Sequence, residues 1–180
     1  PYGGADFTVL CRPDGTFSKG LLVLNTDRTS TAVDRAVYER TAFLAKQFDI
    51  RFVWDFAADY KTDLTTKAEQ YTKTGVNNVE LISAQAGEVA WDLAIGGMLY
   101  DWNEIEILQT DRDYWSRNAA EQFSTPGGKL FFMTGDANHN ALGSATCLFF
   151  DKELVESVPG LGSLYDLVFD DRWTFQKFSE

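Results

Sequence analysis

The sequence has 180 residues, of which 44% are hydrophobic and 14% aromatic, so it can bury a core and is not an intrinsically disordered chain. Its 27 acidic and 16 basic residues give a net charge of -11, which disfavours nucleic acid and anionic lipid as partners. No apolar run reaches the ~20 residues that a membrane-spanning helix needs. Residues 1–5 do not resemble a signal peptide, so either a cytoplasmic chain or an exported chain without its leader would fit.

The first half of the chain alternates between strand and helix patterns. DFTVLC (6–11) predicts a strand, TSTAVDRAVYERTAFLAKQFDI an amphipathic helix, and the near-continuously apolar IRFVWDF a second strand. This order predicts a βαβ unit. LTTKAEQYTKTG predicts a second helix that ends at Gly75, VELISAQAGEV a third helix, and WDLAIGG a short strand before two glycines.

The second half has a different pattern. DRDYWSRNAAEQFS predicts a polar helix, TPGGKLFFMTGD a turn and a strand, SATCLFFDKELVES a strand that leads into a helix, and GLGSLYDLVFDD a short helix. Thr174 has the chemistry of an N-cap for a last helix that contains Phe175 and Phe178. The whole alternation predicts an α/β protein with a mainly parallel sheet, and the turn residues at 126–128 predict a boundary near 125–135.

Metal and cofactor motifs are missing from the sequence. With one histidine and no closely spaced cysteine pair, it predicts no metal site, and it contains no dinucleotide-binding or phosphate-binding glycine motif. DANHN (136–140) begins like a calcium loop but lacks the turn glycine and the glutamate of that loop. The polar side chains of DANHN suit hydrogen bonds to a neutral polyol. Cys11 and Cys147 lie in apolar runs that predict buried strands, with either two thiols or, if the strands adjoin, a disulfide.

Carboxylates and tryptophans provide the other candidates. A glycosidase needs two carboxylates about 5–10 Å apart, but with 27 acidic residues chance candidates are certain. Most tryptophans are expected in the core or at its edge, and a few would line a cleft, where an aromatic face packs on the C–H face of a sugar. The carboxylate candidates include Asp55, Asp59, Asp92, Asp101, Glu104 and Glu106.

Four segments, taken in chain order, resemble the extracellular solute-binding proteins of bacterial ABC transporters, in the sugar-binding family 1. They are AVDRAVYERTAFLAKQFDIRF, LYDWNEIEILQTDRDYWS, GGKLFFMTGDANHNALGSATCLFFDKELVES and LYDLVFDDRWTFQKFSE. The last segment carries the most specific match, to the family pattern LYdLVkdGkWTwdkf. The family usually has a longer stretch between the counterparts of WDLAIGG and MLYDWNEI. Either a true deletion or residues absent from this sequence would explain the short link, and both weaken the transfer of ligand residues from the family to this chain.

The resemblance implies a periplasmic-binding-protein-like α/β lobe with a mainly parallel sheet, formed by residues 1–128. Residues 129–180 would be a hinge strand and the beginning of a second α/β lobe, so the chain would be the N-terminal half of such a protein. Ligands bind beyond the carboxyl ends of parallel strands, which independently favours the first three of the implied ligand-binding residues. The implied residues are Asp14, Gly15, Asp55, Trp115, Asp136, Asn138 and His139.

The implied function is capture of a carbohydrate for an ABC transporter, with no catalysis and no cofactor. The resemblance implies an extracellular or periplasmic protein whose partners are the sugar and a membrane permease, anchored by a lipidated segment outside this sequence. Two alternatives stay open. One is a glycoside hydrolase-type enzyme that uses paired carboxylates, and the other is a non-catalytic protein-interaction domain with a large exposed apolar patch.

Overall fold

A computed structural model describes residues 1–12, 31–75, 79–138 and 146–179. The chain divides into two compact units, Pro1–Ser144 and Ala145–Glu180. Within the described ranges, no helix has the length and apolar character that crossing a membrane requires. The strands are β1 (Ala5–Cys11), β2 (Ile50–Phe56) and β3 (Leu81–Ser83), and the helices are α1 (Ala32–Phe48), α2 (Thr62–Thr74), α3 (Trp91–Ile95), α4 (Arg117–Phe123), α5 (Lys152–Ser157), α6 (Leu164–Phe169) and α7 (Phe175–Ser179).

The three strands form a parallel sheet in the order β2–β1–β3. The central strand pairs along its whole length with β2, and through Val9, Leu10 and Cys11 with β3. These three residues are all buried although successive side chains point to opposite faces, because helices cover the sheet on both sides. The protein is therefore a mixed α/β protein with a small parallel sheet, as the strand and helix pattern predicts.

The main core lies between one face of the sheet and helices α2 and α3. On the other face, α1 packs against β2 and buries Val37. On β2, Phe52 stacks on Trp54 with ring centroids 5.6 Å apart. The buried members of the main core are Leu10, Ala57, Leu64, Ala68, Val89 and Leu93.

Capping residues explain where several helices begin and end. The Thr31 side chain accepts a hydrogen bond from the Asp34 N–H at the start of α1, and Ser116 accepts one from the Ala119 N–H at the start of α4. Helix α2 ends at Gly75, whose φ of 63° suits glycine, as the sequence predicts. The predicted cap of the last helix is also confirmed, because Thr174 Oγ1 accepts from the Lys177 N–H at 3.2 Å.

The predicted order of elements between residues 79 and 97 is wrong. VELISAQAGEV does not form one helix, because its first part is β3, beside β1. WDLAIGG is not a strand, because a π-helical turn over Ala86–Ala90 runs directly into α3. Val89 and Leu93 are four residues apart and both enter the main core, so the helical spacing of these residues decides the structure.

Two other predicted strands are not found in the described residues. Residues 129–134 contain no strand, although Gly135 pairs with Trp115 in an isolated antiparallel bridge. The preceding turn is confirmed, since the Gly128 N–H donates to Thr125 O at 2.8 Å. Residues 146–150 form no strand either, and Cys147 is exposed rather than buried, with no disulfide to Cys11.

The unit Ala145–Glu180 contains the short helices α5, α6 and α7. Leu167 is its buried apolar residue within the described range, whereas Phe149, Phe169 and Phe175 are 94%, 82% and 85% exposed. A unit of this size with so little buried apolar area has little core of its own. The assignment of residues 1–128 and 129–180 to two lobes stays a prediction.

Candidate ligand-binding site

Three side chains meet at the carboxyl end of the sheet, one from the segment that follows each strand. Arg12 follows β1, Tyr60 follows β2 and Gln85 follows β3. The guanidinium carbon of Arg12 lies 5.3 Å from the centre of the Tyr60 ring, and Arg12 Nη1 lies 3.5 Å from Gln85 Oε1. We call these three residues the carboxyl-end cluster. They place a cation, an aromatic ring and an amide where α/β sheets commonly bind ligands.

Sequence reasoning did not identify the carboxyl-end cluster. Arg12 directly follows the first predicted strand, so the strand-end rule could have found it. Gln85 could not be found by the strand-end rule, because its segment has the sequence pattern of a helix. Its contact with Arg12 also joins residues 73 positions apart, which no local pattern indicates. Tyr60 lies in a loop with no local motif. Only the strand order β2–β1–β3 brings the three segments together.

Asp55, a predicted ligand residue, holds α2 against the sheet. Its Oδ1 accepts from Lys67 Nζ at 2.5 Å, and its Oδ2 accepts from the Tyr71 hydroxyl at 2.8 Å. These hydrogen bonds to Asp55 raise the pKa of Lys67 and the pKa of Tyr71. Lys67 also donates to Phe56 O at 3.1 Å. Both carboxylate oxygens of Asp55 are therefore used within the protein, which gives this residue a structural role.

Trp115, Asp136 and Asn138 are brought together at a second place. The Asp136 N–H donates to Tyr114 O at 2.9 Å, on one side of the Trp115–Gly135 bridge. The Asn138 N–H donates to Gly135 O at 2.9 Å and closes a turn over residues 135–138, which we call the 135–138 turn. Three of the predicted ligand residues thus lie on two neighbouring backbone segments, 114–116 and 134–138.

The indole of Trp115 is fixed in this arrangement. Its Nε1 donates to Leu108 O at 2.9 Å, which satisfies the polar atom of a half-buried ring. Trp102 packs on it edge to face with centroids 5.3 Å apart, and Tyr114 lies at 5.5 Å on a tilted plane. Tyr114 is 47% exposed. The segment therefore combines a rigid aromatic group with the polar side chains of the 135–138 turn.

The 135–138 turn is attached to α1 by Arg40. Arg40 Nη1 donates to Ala137 O at 2.8 Å. The side chain is half-buried, and this loss of solvent lowers the pKa of Arg40. Asp136 is exposed and Asn138 is half-buried. This contact joins a helix that packs on the sheet to the turn that carries two predicted ligand residues.

Two of the carboxylates that the sequence offers to a glycosidase accept hydrogen bonds from backbone N–H groups. Asp59 accepts from the Lys61 N–H at 2.8 Å and from the Asp63 N–H at 3.2 Å, and the Lys61 hydrogen bond is the main reason that the pKa of Asp59 is lowered. Asp101 is buried, and its Oδ1 accepts from the N–H groups of Asn103 and Leu130, each at 3.1 Å. In the described part of the chain, no group of three or more acidic, histidine or cysteine side chains is arranged to hold a metal ion.

Three of the predicted site residues, Asp14, Gly15 and His139, lie outside the described residues.

Comparison of the chain with protein-family models, with curated protein sequences and with solved structures finds no match.

Proposed function

We propose that this protein is an extracellular solute-binding protein that captures a carbohydrate for an ABC transporter. The observation that carries the proposal is the convergence of Arg12, Tyr60 and Gln85 at the carboxyl end of a parallel sheet. The ring of Tyr60 is 42% exposed and offers an apolar face to the C–H groups of a sugar. Arg12 and Gln85 carry hydrogen-bonding groups that suit its hydroxyls.

The Trp115 segment supports the same proposal. A sugar-binding cleft needs aromatic faces beside short polar side chains, and Trp115 and Tyr114 lie next to Asp136 and Asn138. In the proposal these residues and the carboxyl-end cluster contact the solute. Residues 1–128 would form the first lobe of the binding protein and residues 129–180 the start of the second, and a permease would receive the sugar after the lobes reopen.

Titration calorimetry tests the proposal, using the complete product of the gene that contains residues 1–180. The titrants are neutral oligosaccharides: maltotriose, cellotriose, xylotriose and mannotriose. We expect binding of at least one of them, weakened by about 1–3 kcal/mol in Tyr60→Ala, which removes a contacting aromatic ring. Gln85→Ala removes a hydrogen-bonding amide and should cost about 0.5–1.5 kcal/mol.

Tyr2→Ala is the matched control for Tyr60→Ala. Tyr2 is 69% exposed and precedes β1, so it lies at the amino end of the sheet, away from the carboxyl-end cluster. Its removal should leave sugar affinity unchanged. Absence of binding to every sugar of the panel would overturn the proposal. Equal losses of sugar affinity in the Tyr2 and Tyr60 variants would show that the carboxyl-end cluster is not the sugar-binding site.

The exposed apolar surface of Ala145–Glu180 favours a second candidate, a protein-interaction domain. Phe149, Phe169 and Phe175 are each more than four-fifths exposed. A surface of this kind commonly marks an interaction site. Binding of a hydrophobic dye to the complete gene product separates the two candidates. Strong dye binding without sugar binding would favour an interaction domain, whereas sugar binding without dye binding would favour the solute-binding protein.

A further inference from the structure

Arg40 occupies an unusual position for a charged residue on an amphipathic helix. It lies three residues after the buried Val37 and four residues before the half-buried Leu44, so it belongs to the packed side of α1. Its guanidinium is partly removed from water, and this desolvation of a charge costs free energy unless hydrogen bonds compensate. Ala137 O provides such a hydrogen bond at 2.8 Å, across 97 residues of sequence. Arg40 therefore makes a long-range hydrogen bond from the packed side of α1 to the backbone of the 135–138 turn.

The 135–138 turn is held from two sides. On one side, the Asp136 N–H bonds to Tyr114 O, next to the Trp115–Gly135 bridge. On the other side, the carbonyl of Ala137 accepts from Arg40. The Ala137 carbonyl belongs to the same planar peptide group as the Asn138 N–H, which closes the turn on Gly135 O, so Arg40 and the turn hydrogen bond hold one peptide group from both ends. The second anchor therefore comes from α1 and not from the turn itself.

We propose that Arg40 is a positioning residue that holds the 135–138 turn in the conformation in which Asp136 and Asn138 face the solute. The part that concerns the solute rests on the proposed function, whereas the part that concerns the turn stands on the contact with Ala137. A guanidinium suits this role because its rigid planar group fixes the direction of the bond that it donates. Replacement of Arg40 should disturb the turn locally and leave the sheet intact.

Amide hydrogen exchange of the 180-residue chain tests the first part. Arg40→Met keeps an unbranched stem but removes every side-chain N–H donor. Arg40→Lys keeps the charge and an N–H donor on a shorter side chain. Lys46→Met is the matched control, because Lys46 is an exposed cation in the last turn of the same helix. We expect exchange at Asp136 and Asn138 to accelerate about tenfold in Arg40→Met, the scale of one charge-assisted hydrogen bond. Arg40→Lys should restore part of the protection, and Lys46→Met should change nothing.

Calorimetry with maltotriose, cellotriose, xylotriose and mannotriose on the complete gene product tests the second part. Arg40→Met should weaken binding about tenfold in a protein that still unfolds cooperatively, with partial rescue in Arg40→Lys. Unchanged exchange at Asp136 and Asn138, or an unchanged sugar affinity of Arg40→Met when the unmodified protein binds a sugar, would overturn the positioning role. If the unmodified protein binds none of the sugars, the proposed function fails, and the exchange result alone decides whether Arg40 positions the turn.

Discussion

Gly135 and Trp115 are paired so closely that no side chain fits at Gly135. A Cβ atom built on Gly135 would lie 2.2 Å from Tyr114 O and 3.1 Å from Trp115 Cα. Both of these atoms belong to the backbone, so the clash could be relieved only by moving the chain. Glycine at this position is therefore a condition for the bridge that joins the two segments carrying Trp115, Asp136 and Asn138.

Gly135→Ala should open this bridge and lower the free energy of unfolding by about 1–3 kcal/mol, the usual cost of forcing extra volume into a packed site. Urea denaturation gives the free energy, and tryptophan fluorescence reports the change around Trp115. Gly87→Ala is the control, because a Cβ on Gly87 has open space around it and lies in a helical turn. It should be within about 0.5 kcal/mol of the unmodified protein or stabilise it slightly. Similar losses in both variants would contradict the close approach at Gly135.

Asp101 should matter as a hydrogen-bond acceptor rather than as a charge. Asp101→Ala leaves the N–H of the buried Leu130 without its acceptor, which should cost about 1–3 kcal/mol of unfolding free energy. Asp101→Asn keeps a carbonyl oxygen at the same place and should retain about half of that stability or more. Urea denaturation of the two variants makes the comparison. An equal loss in both would contradict this role and show that the negative charge itself stabilises the fold.

The contact of Asp55 with Lys67 and Tyr71 predicts a loss of stability in alkali. Asp55 raises the pKa of Lys67 above its ordinary value of 10.5 and the pKa of Tyr71 above its ordinary value of 10.0. The unfolded chain therefore releases these two protons first as the pH rises. The stabilisation is complete below about pH 10 and is lost as the pH passes through the folded-state pKa values of the two groups.

Asp55→Asn should lower the free energy of unfolding at pH 7 by about 1.5–3 kcal/mol, because two hydrogen bonds to a partly buried charge are weakened. Its stability should also fall less steeply than that of the unmodified protein above pH 10. Denaturation series between pH 7 and about pH 11 measure both effects. Asp113→Asn is the control, since Asp113 pairs with Arg117 at an exposed site and should cost less than about 1 kcal/mol. Parallel pH curves for Asp55→Asn and the unmodified protein would contradict the assignment.

The elements up to Gly75 can be predicted from sequence because their local signals agree with the packing. Thr31 caps α1, Gly75 ends α2, and the apolar strands need cover on both faces, so few alternatives compete. Residues 79–97 fail because their apolar residues fit two arrangements. Val89 and Leu93 could belong to a helix or flank a strand, and only their place in the main core decides.

The candidate site also has a part that the sequence predicts and a part that only the tertiary structure reveals. The strand-end rule and the family resemblance point to positions along the chain, and the structure brings Trp115, Asp136 and Asn138 together. Neither source indicates that both oxygens of Asp55 are used by α2, because that depends on which face of β2 carries it. The contact of Arg12 with Gln85 depends on β3 lying beside β1. Contacts of this kind follow from strand order, which short-range patterns do not encode.

The two cysteines should differ sharply in reactivity. Cys11 is 1% exposed in the central strand, and its Sγ lies 3.7 Å from Asp55 O, whereas Cys147 is exposed. A thiol reagent such as dithiobis(nitrobenzoate) should modify Cys147 directly in the native protein. Cys11 should react only when the sheet opens, roughly five-thousand-fold more slowly if opening costs about 5 kcal/mol.

Time courses of thiol release at neutral pH test this difference. The unmodified chain should show one fast and one slow thiol, and Cys147→Ser should keep only the slow one. Mild urea should accelerate the slow phase in proportion to the population of the open form, because exposure of Cys11 requires separation of β1 from its neighbours. Two fast thiols in the native protein would contradict the burial of the central strand, and with it the parallel sheet that places Arg12, Tyr60 and Gln85 at one end.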